Sequence, residues 1–186
     1  HIFGWGKPNL SFIVALHLGT WLAVVWHYRS RLRSIIAACL GEAAGRGTGG
    51  EDARLGWMLL SATVPGLVLG AVFAESSEMM EGMPLLMTVT LAVFGLVLWW
   101  ADARGGDDLT WREAGWRQAL AVGVAQAMAI MPGVSRSGAS ISVARAAGIE
   151  RKEAADFSFL LSVPITGAAA AYEGLKLALE GLPSGE

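Results

Sequence analysis

Five apolar blocks, separated by short polar stretches, organise this chain. They run from Phe12 to Trp26 (broken only by His17), Leu55 to Phe73 (with Pro65-Gly66 at its middle), Met83 to Trp100, Ala119 to Ala147 (interrupted at Pro132-Gly133) and Ala154 to Leu179 (containing Pro164). With flanking residues included, four of them can cover roughly 30 Å of hydrocarbon at about 1.5 Å per helical residue. The pattern predicts spans over 11–27, 55–75, 83–101 and 154–179, with 28–54 as a cytoplasmic loop. Inside that loop, Ile35 to Gly50 is mildly apolar and then rich in Gly and Ala, which predicts a short interfacial helix followed by a flexible linker. Trp21, Trp26, Trp57, Trp99, Trp100, Trp111 and Trp116 lie in or beside block ends, as interfacial anchors do.

The fourth block reads differently, because charge constrains it from both sides. Arg29, Arg31, Arg33, Arg46 and Arg54 lie between blocks one and two, whereas only Glu75, Glu78 and Glu81 lie between two and three. Arg104, Arg112 and Arg117 follow block three. Arg145, Arg151 and Lys152 come at the end of block four and before the apolar run of block five. The positive-inside rule then orders the sides in, out, in, in, out. Block four has basic flanks on both sides, so it is expected to enter and return on one side, as a re-entrant helical hairpin over 118–148. Its halves, Gln118 to Met131 and Ser137 to Gly148, hold 14 and 12 residues. Each is too short to cross alone. Pro132 lacks the donor a helix interior needs and ends the first half. Thr110-Trp-Arg-Glu113 has the form of a capping box and is expected to open a helix before it. Irregular backbone at membrane depth survives only when buried in protein or facing a cavity, so the turn over 132–138 should face a polar cavity. The fold class expected is all-α, a polytopic membrane protein with one membrane domain over 1–186.

Composition agrees with this picture. The 186 residues are 54% hydrophobic and 16% charged, with mean hydropathy +0.49; soluble domains carry about 25% charged residues. A net charge of -2 gives no basic field for nucleic acid. The single cysteine, Cys39, excludes an internal disulfide and a cysteine zinc site, and reads as a small apolar filler. No signal peptide is visible. The chain opens at His1 on loop-like residues and stops at Glu186 just after an apolar block, which reads as part of a longer protein.

Chemistry concentrates at Ser135-Arg136-Ser137-Gly138-Ala139-Ser140. An arginine at the turn of a membrane hairpin needs a partner. Its planar fork suits phosphate, and a helix beginning near Ser137 would aim free N–H groups and a positive dipole end at the same spot. Ser135, Ser137 and Ser140 add hydroxyls. The other reading is a structural pair between Arg136 and a buried carboxylate. Gln126 could hold a neighbouring phosphate oxygen or simply pack helices. His17, an ionisable group inside a span, is either functional or hydrogen-bonded across helices. Asp156 reads first as a dipole partner near a helix N-terminus. Ser158 and Ser162 read as packing residues, and Glu173 as reaching water at the outer end of block five. No HExxH, GxSxG, P-loop or Cys/His metal spacing occurs.

The run Gln126-Ala-Met-Ala-Ile-Met-Pro-Gly-Val-Ser-Arg-Ser-Gly-Ala-Ser140 resembles the second signature of the undecaprenyl-diphosphate phosphatase family, the bacitracin-resistance phosphatases, approximately Q-x-x-A-x-x-P-G-x-S-R-S-G-A-T. Phe157-Ser-Phe-Leu-Leu-Ser-Val-Pro164 is similar to the family's F-S-F-L-L-x-x-P run, and Val14 to Val25 to the span after its first signature. The resemblance covers nearly the whole chain. It implies removal of the terminal phosphate of undecaprenyl diphosphate, which regenerates the lipid carrier of peptidoglycan synthesis and confers bacitracin resistance. It implies inverted repeats with re-entrant hairpins, a multi-pass place in the bacterial inner or plasma membrane, and a site open to the outer, periplasmic face. By motif match, Arg136, Ser135 and Ser137 carry over as catalytic residues, and Gly133, Ser140 and Gln126 as substrate-binding; position 140 is usually Thr in the family, and Ser keeps the hydroxyl.

The family's first signature, an E-x-x-x-E helix followed by a serine-rich turn and His, is absent and would precede His1. The resemblance therefore implies a divalent cation, Mg2+ or Ca2+, with ligands outside this chain, and predicts that this stretch alone is inactive. The expected partners are a polyprenyl diphosphate and membrane lipids, with a homodimer left open. A transporter or flippase for a phosphorylated lipid or other anion, which also uses broken helices and midplane anion sites, is the alternative. A non-catalytic membrane scaffold is the third reading.

Overall fold

The computed structural model describes residues 10–47, 50–80 and 83–180, with side chains described over 16–47, 50–73 and 83–171. It is all-helical: α1 (Leu10–His27), α2 (Arg29–Ala43), α3 (Glu51–Met80), α4 (Pro84–Arg104), α5 (Trp116–Ala127), α6 (Arg136–Ala146) and α7 (Arg151–Glu180). A short 3-10 turn, Met128–Ile130, extends α5. Among the described residues, Glu51–Phe73, Pro84–Arg104 and Arg151–Ala171 are long and apolar enough to cross a membrane. The outer face of α4 is almost wholly apolar and exposed, with Leu85 at 77%, Leu96 at 64% and Trp99 at 69%. Such a face needs hydrocarbon around it, and the chain is a polytopic membrane protein.

α5 and α6 pack on each other and, at 12 and 11 residues, reach roughly 18 Å and 16 Å, well short of a bilayer core. α5 lies against α3 at a point where both backbones nearly touch. A Cβ on Gly123 would collide with the Ala62 carbonyl and come within 2.7 Å of its Cα. Gly123→Val should therefore push the helices apart and destabilise the protein by about 2 kcal/mol, as overpacking does; a thermal melt in detergent unchanged from wild type would contradict this. The side chain of Gln126 also serves this contact, donating to the Ala62 carbonyl at 3.0 Å.

α6 ends on Gly148, whose φ of +84 suits glycine. Gly148 N–H reaches the Arg145 carbonyl and Ile149 N–H the Ala144 carbonyl, the paired bonds that close a helix C-terminus. Leu109 then bridges to Ile149 and ties the connection before α5 to the start of α7.

Nearby lies the densest polar cluster. Arg145 is 1% exposed and spends its whole guanidinium on fixed acceptors. Nε meets Asp102 at 3.1 Å and Nη1 meets Asp107 at 2.6 Å, while the carbonyls of Gly105, Gly106 and Ile149 take the remaining donors. Arg151 grips the same Asp102 with two bonds of 2.8 and 2.7 Å. Arg145 holds the Asp107 carboxyl below the usual carboxylate range through their hydrogen bond. Together these contacts fasten the end of α4 to the end of α6 and the beginning of α7.

Three expectations need correction. The Thr110-to-Glu113 box forms, with Glu113 accepting from the Thr110 N–H at 2.9 Å, but it closes a single turn. α5 starts later, at Trp116, where Gln118 reaches back to the Gly115 N–H at 3.0 Å. Trp111 is not an interfacial anchor: it is 6% exposed, stacks on Phe157 with centroids 3.7 Å apart and donates to the Glu153 carbonyl. Its indole fills the core between α3 and α7 with Met58, Leu59 and Leu161. The helix expected near Ile35 begins earlier, at Arg29. The side chain of Glu173 lies outside the described residues.

Candidate functional site

The break between α5 and α6 is held rigidly. Gly133 sits at φ +87, open to glycine and strained for other residues. A Cβ there would strike Thr90 and Met87 of α4, so only a bare backbone fits. Thr90 fixes the neighbouring peptide by donating its hydroxyl to the Pro132 carbonyl at 2.7 Å. The chain then turns into α6 through Ser135, whose Oγ accepts from the Gly138 N–H at 3.2 Å, an N-cap. Ser137 Oγ lies 3.4 Å from Ser135 Oγ.

Arg136 is the first residue of α6, beside the positive end of the helix. It is half-buried, and its Nη1 donates to Thr166 Oγ1 at 2.7 Å. Among the described residues it forms no ion pair with a carboxylate, so the structural pairing read as one alternative for Arg136 is met by Arg145 instead. Arg136 and Ser137 line a cavity of about 190 Å³ between α1, α6 and α7. α1 supplies His17, Thr20, Trp21 and Val24, spaced along one helical face; α7 supplies Ser158, Phe159, Ser162 and Thr166. The Trp21 Nε1 is committed to the Val163 carbonyl at 2.9 Å. Among the described residues the lining holds a guanidinium, several hydroxyls and no carboxylate, which suits an anion.

The remaining sequence candidates fall around this cavity. Ser140, 1% exposed, lies one turn behind Ser137 and shares a 2.7 Å hydroxyl contact with Ser158, so it ties α6 to the cavity wall. Ser135 is exposed at the turn beside Ser137. Gly133 and Gln126 are not among the lining residues; they seat the hairpin against α4 and α3. Asp156 lies nearer the other end of α7 and accepts from the Tyr28 hydroxyl at 2.6 Å. Burial, and then this bond, push the Tyr28 phenol above its ordinary pKa, so it stays a donor. Cys39 is partly buried, with its thiol facing the Ala53 carbonyl.

Thr166 and Thr20 were not singled out from the sequence. A signal existed for Thr166: Ser158, Ser162 and Thr166 recur every fourth residue, one polar stripe through the apolar stretch of the helix.

Among the described residues, no group of three or more His, Cys, Asp or Glu side chains could hold a metal ion. The lining of this cavity does not fit a divalent cation by itself.

Comparison with known proteins shows the family. The chain is 38% identical over 178 residues to undecaprenyl-diphosphatase 1 of Pseudoalteromonas translucida (strain TAC 125). The alignment takes in 96% of this chain, and the chain spans 66% of that relative's length. Residues 1–184 match the family described as bacitracin resistance protein BacA, and the chain belongs to that family.

Proposed function

We propose that the protein containing this chain hydrolyses undecaprenyl diphosphate to undecaprenyl phosphate and inorganic phosphate, and thereby confers bacitracin resistance. The observation that carries the reading is Arg136 at the N-terminus of α6, with hydroxyls of α6 and α7 converging on one small cavity. The relative's name, an undecaprenyl-diphosphatase, points to the same substrate. In this reading the guanidinium takes the diphosphate oxygens in a two-pronged contact. Ser137 and the free N–H groups at the helix start add donors, and the cavity admits the headgroup while the prenyl chain stays in lipid. Water's oxygen replaces the bridging oxygen at the terminal phosphorus, and the lipid phosphate leaves with the bridging oxygen. Fixed donors then stabilise the spreading negative charge, the main requirement of phosphoryl transfer. A divalent cation is part of the proposal for the complete site; the described residues supply no cluster to hold it, and no step here is routed through one.

The proposed setting is the bacterial cell membrane, with the site facing outward. In support, Arg54 bonds to the 112 and 114 carbonyls, Arg112 pairs with Glu51, and Arg145 and Arg151 pair with Asp102, so the basic residues of several loops share one end of the bundle. α5 starts and α6 ends there, and the turn bearing Arg136 lies at the far end of both helices.

The test is phosphate release by the complete protein in proteoliposomes carrying undecaprenyl diphosphate, against an Arg136→Ala control. Movement of intact substrate between leaflets without phosphate release would establish a carrier instead. A companion prediction concerns Thr166, which holds Arg136 in place. Thr166→Val should lower kcat about tenfold, the loss of one hydrogen bond to a charged group, while Thr166→Ser stays near wild type. Equal turnover for Val and Ser would remove Thr166 from the site.

A further inference from the structure

A second and larger cavity, of about 560 Å³, lies at the opposite, basic end of the bundle. That volume falls within the range of small-molecule sites. Its floor is apolar: Leu55, Phe157 and Leu160, with Trp111 stacked on Phe157. Its walls carry three arginines, Arg31, Arg54 and Arg112, and three carboxylates, Glu51, Glu153 and Asp156.

These charges do not simply cancel in direct pairs. Arg112 meets Glu51 at 3.2 Å, and Arg31 meets Asp52 at 2.9 Å. Arg54 instead donates to two neutral acceptors, the carbonyls of Arg112 and Ala114, both at 2.6 Å. Asp156 takes the neutral Tyr28 hydroxyl, and the Glu153 carboxylate faces the Trp111 backbone N–H at 3.5 Å. Among the described residues, Arg54, Glu153 and Asp156 are in no ion pair. Glu153 and Asp156 lie one turn apart on α7, on the face that continues to Phe157 and Leu160. The cavity therefore holds charge of both signs outside direct ion pairs, over an apolar floor, with equal numbers of cationic and anionic side chains.

We propose that this cavity binds the headgroup of a zwitterionic phospholipid, with its ammonium on Glu153 and Asp156 and its phosphate on Arg54. A ligand carrying only negative charge would meet the two carboxylates without compensation, so this site is chemically distinct from the one at Arg136. A lipid fits the position: Trp57 and Trp116 are exposed near the starts of α3 and α5, and exposed tryptophans at helix ends favour a membrane interface. The apolar floor receives the first carbons of the lipid, and the ammonium N–H groups make charge-assisted bonds to the carboxylates.

The experiment is native mass spectrometry of the complete protein in mild detergent, titrated with short-chain phosphatidylethanolamine, phosphatidylcholine and phosphatidylglycerol. Phosphatidylethanolamine should bind about tenfold more tightly than phosphatidylglycerol, the worth of one charge-assisted contact. Phosphatidylcholine, whose methylated nitrogen has no N–H to donate, should fall between them. The Glu153→Gln, Asp156→Asn double variant should lose the preference. Equal binding of the three lipids by the wild type overturns the proposal without recourse to any variant, and so does a folded double variant that keeps the preference. Free phosphoethanolamine binding as tightly as the lipid overturns the lipid assignment in favour of a soluble ligand.

Discussion

Arg136→Lys should reduce kcat for release of phosphate from undecaprenyl diphosphate by about 10²- to 10³-fold, the range seen when one donor to a developing oxyanion is removed. Lysine keeps the positive charge, so the expected loss isolates geometry. The guanidinium of Arg136 already commits one nitrogen to Thr166 at 2.7 Å, and the residue lines the cavity with a planar fork that has further donors to offer. An ammonium on a flexible stem cannot both hold Thr166 and bracket two phosphate oxygens. The loss should fall mainly on kcat, because the fork matters most where charge spreads over the transferring group. Steady-state phosphate release with the lipid substrate decides the matter. Turnover within a factor of about two of wild type would show that Arg136 supplies charge alone, or lies outside the reacting groups.

The second large effect concerns stability. Arg145→Met should destabilise the protein by about 3 kcal/mol, the low end for removing one member of a buried ion pair. The low end applies because Asp102 keeps Arg151 as a partner, and Asp107 is exposed enough to be hydrated. The greater damage falls on the carbonyls of Gly105, Gly106 and Ile149, which lose their shared donor. By the usual scaling for a chain of this size, the melting temperature should drop by about 6–12 °C. A thermal unfolding curve in detergent would show it, and an unshifted midpoint would mean that the clasp contributes little. Arg151→Met, which removes an exposed partner from the same cluster, should shift the midpoint far less.

The two arginines show what the sequence could and could not convey. Arg136 was legible because its neighbours were: a proline and a glycine that stop one helix, a serine that caps the next, and hydroxyls around the charge. That is a local signal, and the long apolar blocks that announced an all-helical membrane protein are local as well. Arg145 entered the sequence reading only as a positive charge for assigning sides. Its role depends on Asp102, 43 residues away, and nothing in either residue's surroundings announces the pairing. Gln126 illustrates a related limit. Its place six residues before Pro132 suggested nearness to the turn, but the direction of its side chain follows from α3 packing against Gly123. The Thr110-to-Glu113 box formed its bonds and still closed only one turn, because the capping pattern specifies a start and says nothing about how far a helix continues.

Thr90 links surroundings that are otherwise separate. It belongs to α4, the helix whose outer face is given almost entirely to lipid, and it holds the Pro132 carbonyl at the head of the turn that presents Arg136. Gly133, lacking a side chain, lets that turn lie directly on α4 with no compliant layer between. The turn proposed to bind the diphosphate is thus suspended from the least buried of the three candidate spans among the described residues, and a tilt of α4 that answers a change in membrane thickness would displace the support of the serine hydroxyls.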